Sequence, residues 1–232
     1  AVGHDIVFTT ASTYQSFVEE HGLKYAPMTD ELLRLTEDKK AKAVVESGGK
    51  NSLKLLGMVK PIIRQMFSDA WAAAQGVDAL VYHPKTLAGY HIAEKLNIPA
   101  FLSLPLPLYS PTRAFPIPIF SQVKLGGEFN RMTYAMTRLV SAPYMGVVNE
   151  WRESQGMTRR GSFANDTIRP DGTPVPILYS YSPHVVPVPN DWGAHVHATG
   201  YWFLDTASSY QPPADLLRFI EAGDPPVYVG FG

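Results

Sequence analysis

The sequence predicts an α/β domain, with a Rossmann-like, mostly parallel sheet and helices on both faces. Three observations carry this. "DALVYH" (78–83) and "PAFLSL" (99–104) are short apolar runs separated by one helical stretch, residues 86–96. That spacing is a βαβ unit and implies parallel pairing. Two further strand-like runs, "PILYSYS" and "VHATGYW", follow a long helical region at 128–155. Apolar residues make up 45% of the 232, enough for a sizeable core.

The remaining elements follow in order. Residues 5–10, "DIVFTT", read as the first strand. Ser12 and Gln15 have the spacing of a capping box, which makes Ser12 the expected N-cap of a helix that Gly22 ends. Tyr25 falls in a second strand. Residues 31–46 read as a solvated helix and 52–75 as a long helix bent by Pro61. "FLSLPLPLYSPTRAFPIPIF" is about long enough to cross a bilayer, but its prolines forbid the helix, so it reads as a loop. Leu104, Leu106, Leu108, Tyr109, Phe115 and Phe120 make that loop unusually apolar. It suits a lid or pocket wall and, equally, a loop packed on its own domain. The 128–155 region is interrupted at Pro143, 159–173 reads as a polar surface loop, and 215–222 as a short helix. Val227-Tyr228-Val229 reads as a buried strand entering a glycine turn at Gly230-Phe231-Gly232.

Composition excludes several classes. The net charge is −1 with no basic cluster, which argues against nucleic acid. Cysteine is absent, so disulfides, thiolate nucleophiles and thiolate zinc sites are excluded. No signal peptide opens the sequence, and a cytoplasmic setting is expected. The sequon Asn165-Asp166-Thr167 therefore reads as chance.

Open parallel sheets bind ligands beyond the carboxyl ends of their strands. Thr9, Thr10, His83 and Ser103 fall there. His83 is the best single candidate to orient or deprotonate a hydroxyl; its plainer role is to hydrogen-bond the loop backbone. His195 and His197 share one strand face, but no carboxylate stands at a convincing spacing, so no metal site is expected. His91 reads as partly buried in a helix. "SGGKNS" fails as a phosphate loop, because Val44 occupies the required glycine position and Asn51 the Ser/Thr position. Gly126-Gly127 follows no strand and reads as a loop. No G-x-G-x-x-G follows any strand, which argues against a nicotinamide oxidoreductase.

Five stretches carry a family resemblance: "GHDIVFTTASTYQSFVEEHGLKYAPM", "VDALVYHPKTLAGYHIAEKLNIPAF", "PLPLYSPTRAFPIP", "YSPHVVPVPNDWGAHVHATGYWFLD" and "FIEAGDPPVYVGFG". Together they run nearly end to end. The sequence resembles the amino-terminal half of GT-B glycosyltransferases of the UDP-glycosyltransferase group, sterol 3-β-glucosyltransferases above all. The resemblance implies two Rossmann-like domains facing across a cleft, the first for acceptor and the second for nucleotide sugar. Residues 1–212 then correspond to the acceptor domain without its first strand and most of its first helix. Residues 213–232 correspond to an interdomain helix and the first strand of the donor domain.

The resemblance further implies inverting transfer from a nucleotide sugar, expected to be a UDP-sugar, to a hydroxyl of a sterol or other lipid-like alcohol. No metal is needed, and lipid acceptors imply peripheral membrane contact. The family's general base matches no residue here and is expected before Ala1. Thr10, His83, Ser103, Pro105, Tyr109, Thr112 and Phe115 are the expected acceptor-binding residues, with His83, Thr10 and the loop 105–115 lining one concavity; Gly230 and Gly232 would face the donor. Residues 1–232 alone are expected to bind acceptors at roughly micromolar to millimolar strength and to transfer no sugar. A free-standing, non-catalytic small-molecule-binding module is the alternative.

Overall fold

The computed structural model describes residues 3–37, 52–204 and 210–230. The chain divides between Gly200 and Tyr201 into two compact units.

The first unit holds two parallel sheets. Strand β1 (Val7–Ala11) pairs with β2 (Lys24–Met28), placing Thr9 opposite Ala26. Between them a single 3-10 turn, Ser12–Tyr14, leads into α1 (Gln15–Glu20). The expected capping box does not form. Because the 3-10 turn intervenes, Ser12 lies ahead of the α-helix and its hydroxyl instead donates to Asp30 Oδ2 at 3.1 Å. Gln15 reaches forward to Glu19 at 2.9 Å. Gly22 does end the helix: at φ 71° its N–H reaches the Glu19 carbonyl at 2.9 Å. Helix α2 (Glu31–Glu37) follows. The rest of the expected 31–46 helix lies outside the described residues, as does nearly all of "SGGKNS".

Helix α3 (Ser52–Ala73) contains Pro61. Val59, Ile63 and Phe67 recur every fourth residue and are buried, the stripe expected of a helix with one apolar face. They join Ile92, Val147 and Val148 in one core cluster.

The second sheet has the order β3-β4-β5-β6, all parallel: β3 (Leu80–Tyr82), β4 (Ala100–Leu104), β5 (Ile177–Tyr179) and β6 (Val196–Ala198). Helix α4 (Gly89–Leu96) crosses from β3 to β4, the βαβ unit the spacing predicted. In β4, Ala100, Leu102 and Leu104 are buried while Phe101 and Ser103 are half-buried, the period of two expected of a strand. Leu102, Leu104, Ile177 and Tyr179 build a second core with Tyr90, Val175 and Tyr181. The 128–155 region resolves into α5 (Gly127–Thr133), α6 (Met136–Ser141) and α7 (Met145–Ser154), with a 3-10 turn at Pro143.

The 159–173 segment is not a plain surface loop. Thr167 is buried, and Asp166 lies 3.7 Å from the buried ring of His91. The Asn165 side chain holds the turn by accepting from Thr167 N and Oγ1 at 3.1 and 2.8 Å.

The second unit contains α8 (Ala214–Glu221). Residues 227–229 were expected to form a buried strand. They do not: they are irregular, and Val227 and Tyr228 are 89% and 90% exposed. An apolar run becomes a strand only when another strand satisfies its backbone, and among the described residues none pairs with it. Gly230 follows in irregular chain, and Gly232 lies outside the described residues. Among the described residues no helix is long and apolar enough to cross a membrane.

Candidate functional site

A cavity of about 640 Å³ opens beyond the carboxyl ends of β3 and β4, within the usual size range of small-molecule sites. Tyr82 and Leu87 reach it from the end of β3 and the connection to α4, and Leu108 and Tyr109 from the proline-rich loop. Met132 and Ala135 line it from the α5–α6 region, and Asp166 from the loop before β5.

Of the seven expected acceptor-binding residues, Tyr109 lines this cavity, joined by Leu108 and Pro111 of the 105–115 loop. Thr10 sits on β1, which pairs only with β2 among the described residues, so its strand end belongs to the other sheet. His83 caps the 3-10 turn after β3, its Nδ1 accepting from Lys85 N at 3.2 Å. Burial, then Lys85, holds its pKa below the ordinary value. Ser103 alternates to the opposite face of β4 from Leu102, and Pro105 is exposed beyond it; neither lines the cavity. Thr112 is fully buried, its hydroxyl bound to Asp191, and Phe115 packs edge-on against Trp192. These contacts tie the proline-rich loop to its own domain. Trp192 Nε1 donates to Ser110 O at 3.0 Å, and Tyr179 Oη to Ser110 Oγ at 2.9 Å. The loop therefore packs on its own domain and supplies cavity wall as well. His197 is exposed on β6, and among the described residues no cluster of three metal-ligating side chains forms.

A buried polar network stands behind the cavity wall, and the local sequence marks it only by the spacing of His91 and Glu94 on α4. Arg152 of α7, 1% exposed, donates to both carboxylate oxygens of Glu94 at 2.9 Å and from Nε to Thr158 O at 2.7 Å. Its fourth contact, from Nη1 at 3.1 Å, is His91 Nδ1. A guanidinium only donates, so Nδ1 accepts and the ring hydrogen sits on Nε2, which faces Asp166 Oδ2 at 3.7 Å. Burial, then Arg152 and Arg160, pushes the His91 pKa down to about 3, so the ring is neutral at pH 7.

Asp166 also pairs with Arg160, Nε to Oδ1 at 3.0 Å. Arg160 in turn donates to Tyr90 Oη at 3.2 Å and lies over the Tyr90 ring. Burial raises the Asp166 carboxyl to about 6, against the pull of both arginines. Tyr82 is pushed far above the ordinary tyrosine range by burial and then by the charge of Asp166. Its hydroxyl is buried and has no hydrogen-bond partner among the described residues.

Gly89 holds the Tyr82 wall in place. A Cβ at Gly89 would fall inside the van der Waals envelope of Tyr82 Cβ and Cγ, atoms too near the backbone to swing away. Gly89→Ala is expected to cost about 1–3 kcal/mol in urea unfolding, as overpacked sites do, and to displace the Tyr82 ring. An unchanged midpoint would mean the two elements yield freely.

The architecture is that of one half of a GT-B glycosyltransferase. The kitacinnamycin glycosyltransferase superposes on 92% of the chain with a TM-score of 0.57 at 14% identity, over 49% of its own length. The calicheamicin glycosyltransferase superposes on 91% with a TM-score of 0.54 at 14% identity, over 47% of its length. No family model matches the chain. In sequence it is similar to sterol 3-beta-glucosyltransferases. That of Leptosphaeria maculans is 36% identical over 99% of this chain, and that of Aspergillus oryzae 36% over all of it. The chain spans only 16–17% of the length of these relatives.

Proposed function

We propose that residues 1–232 form the acceptor-binding part of an inverting glycosyltransferase. It passes a sugar from a nucleotide sugar, a UDP-sugar, to a hydroxyl of a sterol or similar apolar alcohol, without a bound metal, in the cytoplasm. The observation that carries this reading is the cavity at the strand carboxyl ends. Its wall joins Leu87, Leu102, Leu108 and Met132 to a few polar groups, as suits an apolar body with one polar end. End-to-end similarity to sterol 3-beta-glucosyltransferases supports the choice of acceptor class. Lipid acceptors would bring the protein to a membrane surface.

The test is to incubate the full-length protein with UDP-glucose and a panel of sterols and polyketide alcohols, following UDP release and product mass. Transfer to at least one apolar alcohol is expected. Ala135→Trp, which fills the cavity, is expected to raise the acceptor KM by at least about tenfold with little change in kcat. Absence of transfer to every alcohol, or an unchanged KM in the variant, would overturn the reading.

A further inference from the structure

Two polar groups in the cavity wall are left with hydrogen-bonding capacity that the protein does not use. Tyr82 Oη is buried without a partner among the described residues. Asp166 Oδ1 is ion-paired with Arg160 Nε at 3.0 Å, and Oδ2 faces the His91 N–H at 3.7 Å, too far for a hydrogen bond. A carboxylate has about four acceptor positions, so lone pairs remain. Both residues line the same cavity, and the charge of Asp166 reaches the Tyr82 hydroxyl.

A hydrocarbon ligand sealing this wall would strip water from the Asp166 carboxylate and leave the buried Tyr82 hydroxyl still unmet, a cost incurred at every unmet buried polar atom. A hydroxyl meets both needs at once, since it donates one hydrogen and accepts another. A ligand ammonium would meet Asp166 but leave Tyr82 without an acceptor, and it would stand beside Arg160. The pair therefore favours a neutral alcohol.

We propose that Asp166 and Tyr82 form the hydroxyl-recognition pair of this cavity: the ligand O–H donates to Asp166, and the ligand oxygen accepts from Tyr82 Oη. The inference rests on reading the cavity as an acceptor site, and it adds which residues distinguish an alcohol from the matching hydrocarbon. It concerns binding and requires no sugar transfer.

The test is equilibrium binding by the full-length protein, followed by intrinsic fluorescence. The probes are a monohydroxy steroid and the same steroid with its hydroxyl replaced by hydrogen. The wild type is expected to prefer the alcohol by about tenfold or more, the worth of one hydrogen bond to a charged group. Tyr82→Phe and Asp166→Asn should each bring that preference close to unity by weakening the alcohol, with the deoxy compound little affected. Tyr82→Phe removes only an unpartnered oxygen, so its thermal midpoint should not fall; it carries the test if Asp166→Asn folds poorly. Equal binding of the two steroids by the wild type, an undiminished preference in Tyr82→Phe, or binding of neither steroid would each overturn the proposal. The sugar-transfer assay judges the acceptor reading separately, because transfer to an alcohol with no effect of Tyr82→Phe on binding leaves that reading standing.

Discussion

Arg152→Ala is expected to destabilise the first unit by about 3–5 kcal/mol, the usual loss when one partner of a buried ion pair is removed. Arg152 is 1% exposed and supplies four contacts, to both oxygens of Glu94, to His91 Nδ1 and to Thr158 O. Alanine leaves all four acceptors without a donor and opens a cavity between α4 and α7. Urea unfolding followed by far-UV circular dichroism measures the loss. The double variant Arg152→Met, Glu94→Gln should recover a substantial part, because it removes the stranded charge and restores apolar volume. A loss below about 1 kcal/mol for Arg152→Ala would place the pair among ordinary surface bridges.

The second large effect is acid sensitivity through His91. Its pKa falls from 6.5 in the unfolded chain to about 3 in the fold. Below pH 6.5 the unfolded chain therefore takes up a proton that the folded protein refuses. The stability that His91 contributes is complete above pH 6.5 and is lost as pH falls towards 3. Asp166 acts in the opposite sense: raised from 3.8 to about 6, it favours the folded state as pH falls through 6 towards 3.8. The His91 window is wider at both ends, so His91 prevails. The groups facing it are Arg152, Arg160 and Asp166, with the rings of Phe67 and Tyr90 on its flanks. Between pH 6.5 and 4.5 the wild type should lose about 2–3 kcal/mol more than His91→Gln, at about 1.4 kcal/mol per pH unit. Parallel stability curves for the two proteins would show that His91 titrates freely in the fold.

Much of the architecture was legible because its signals are local. The run 99–104 is short, apolar and followed by Pro105, and the 52–75 stretch repeats its apolar residues at helical spacing. Pro143 marks the interruption of the 128–155 region where it stands. The capping box failed for a reason the pattern cannot hold: the chain takes a 3-10 turn first, and Ser12 finds Asp30 across the next loop. His83 took its plainer role, because Lys85 N lies two residues away and needs an acceptor.

The candidate site was far less legible. Tyr109 was within reach of strand-end reasoning, since it follows β4 in an apolar loop. Asp166 was not, because it sits in a polar stretch that reads as surface. His91 and Glu94 do stand at helical spacing on one face of α4, a readable hint. Their partner Arg152, however, lies some 58 residues away.

The sequence by itself determined the order of most strands and helices, the parallel pairing of β3 with β4, and the expectation of a concavity at the carboxyl ends of the strands. Apolar period, proline and glycine act within a few residues, and those determinations need nothing more. The tertiary structure alone decided which polar residues meet in the cavity, that the 227–229 run has no strand partner among the described residues, and that His91 is neutral while Asp166 is held near 6. Burial and charge pairing depend on residues brought together from distant parts of the chain, so they exist only once the fold is complete.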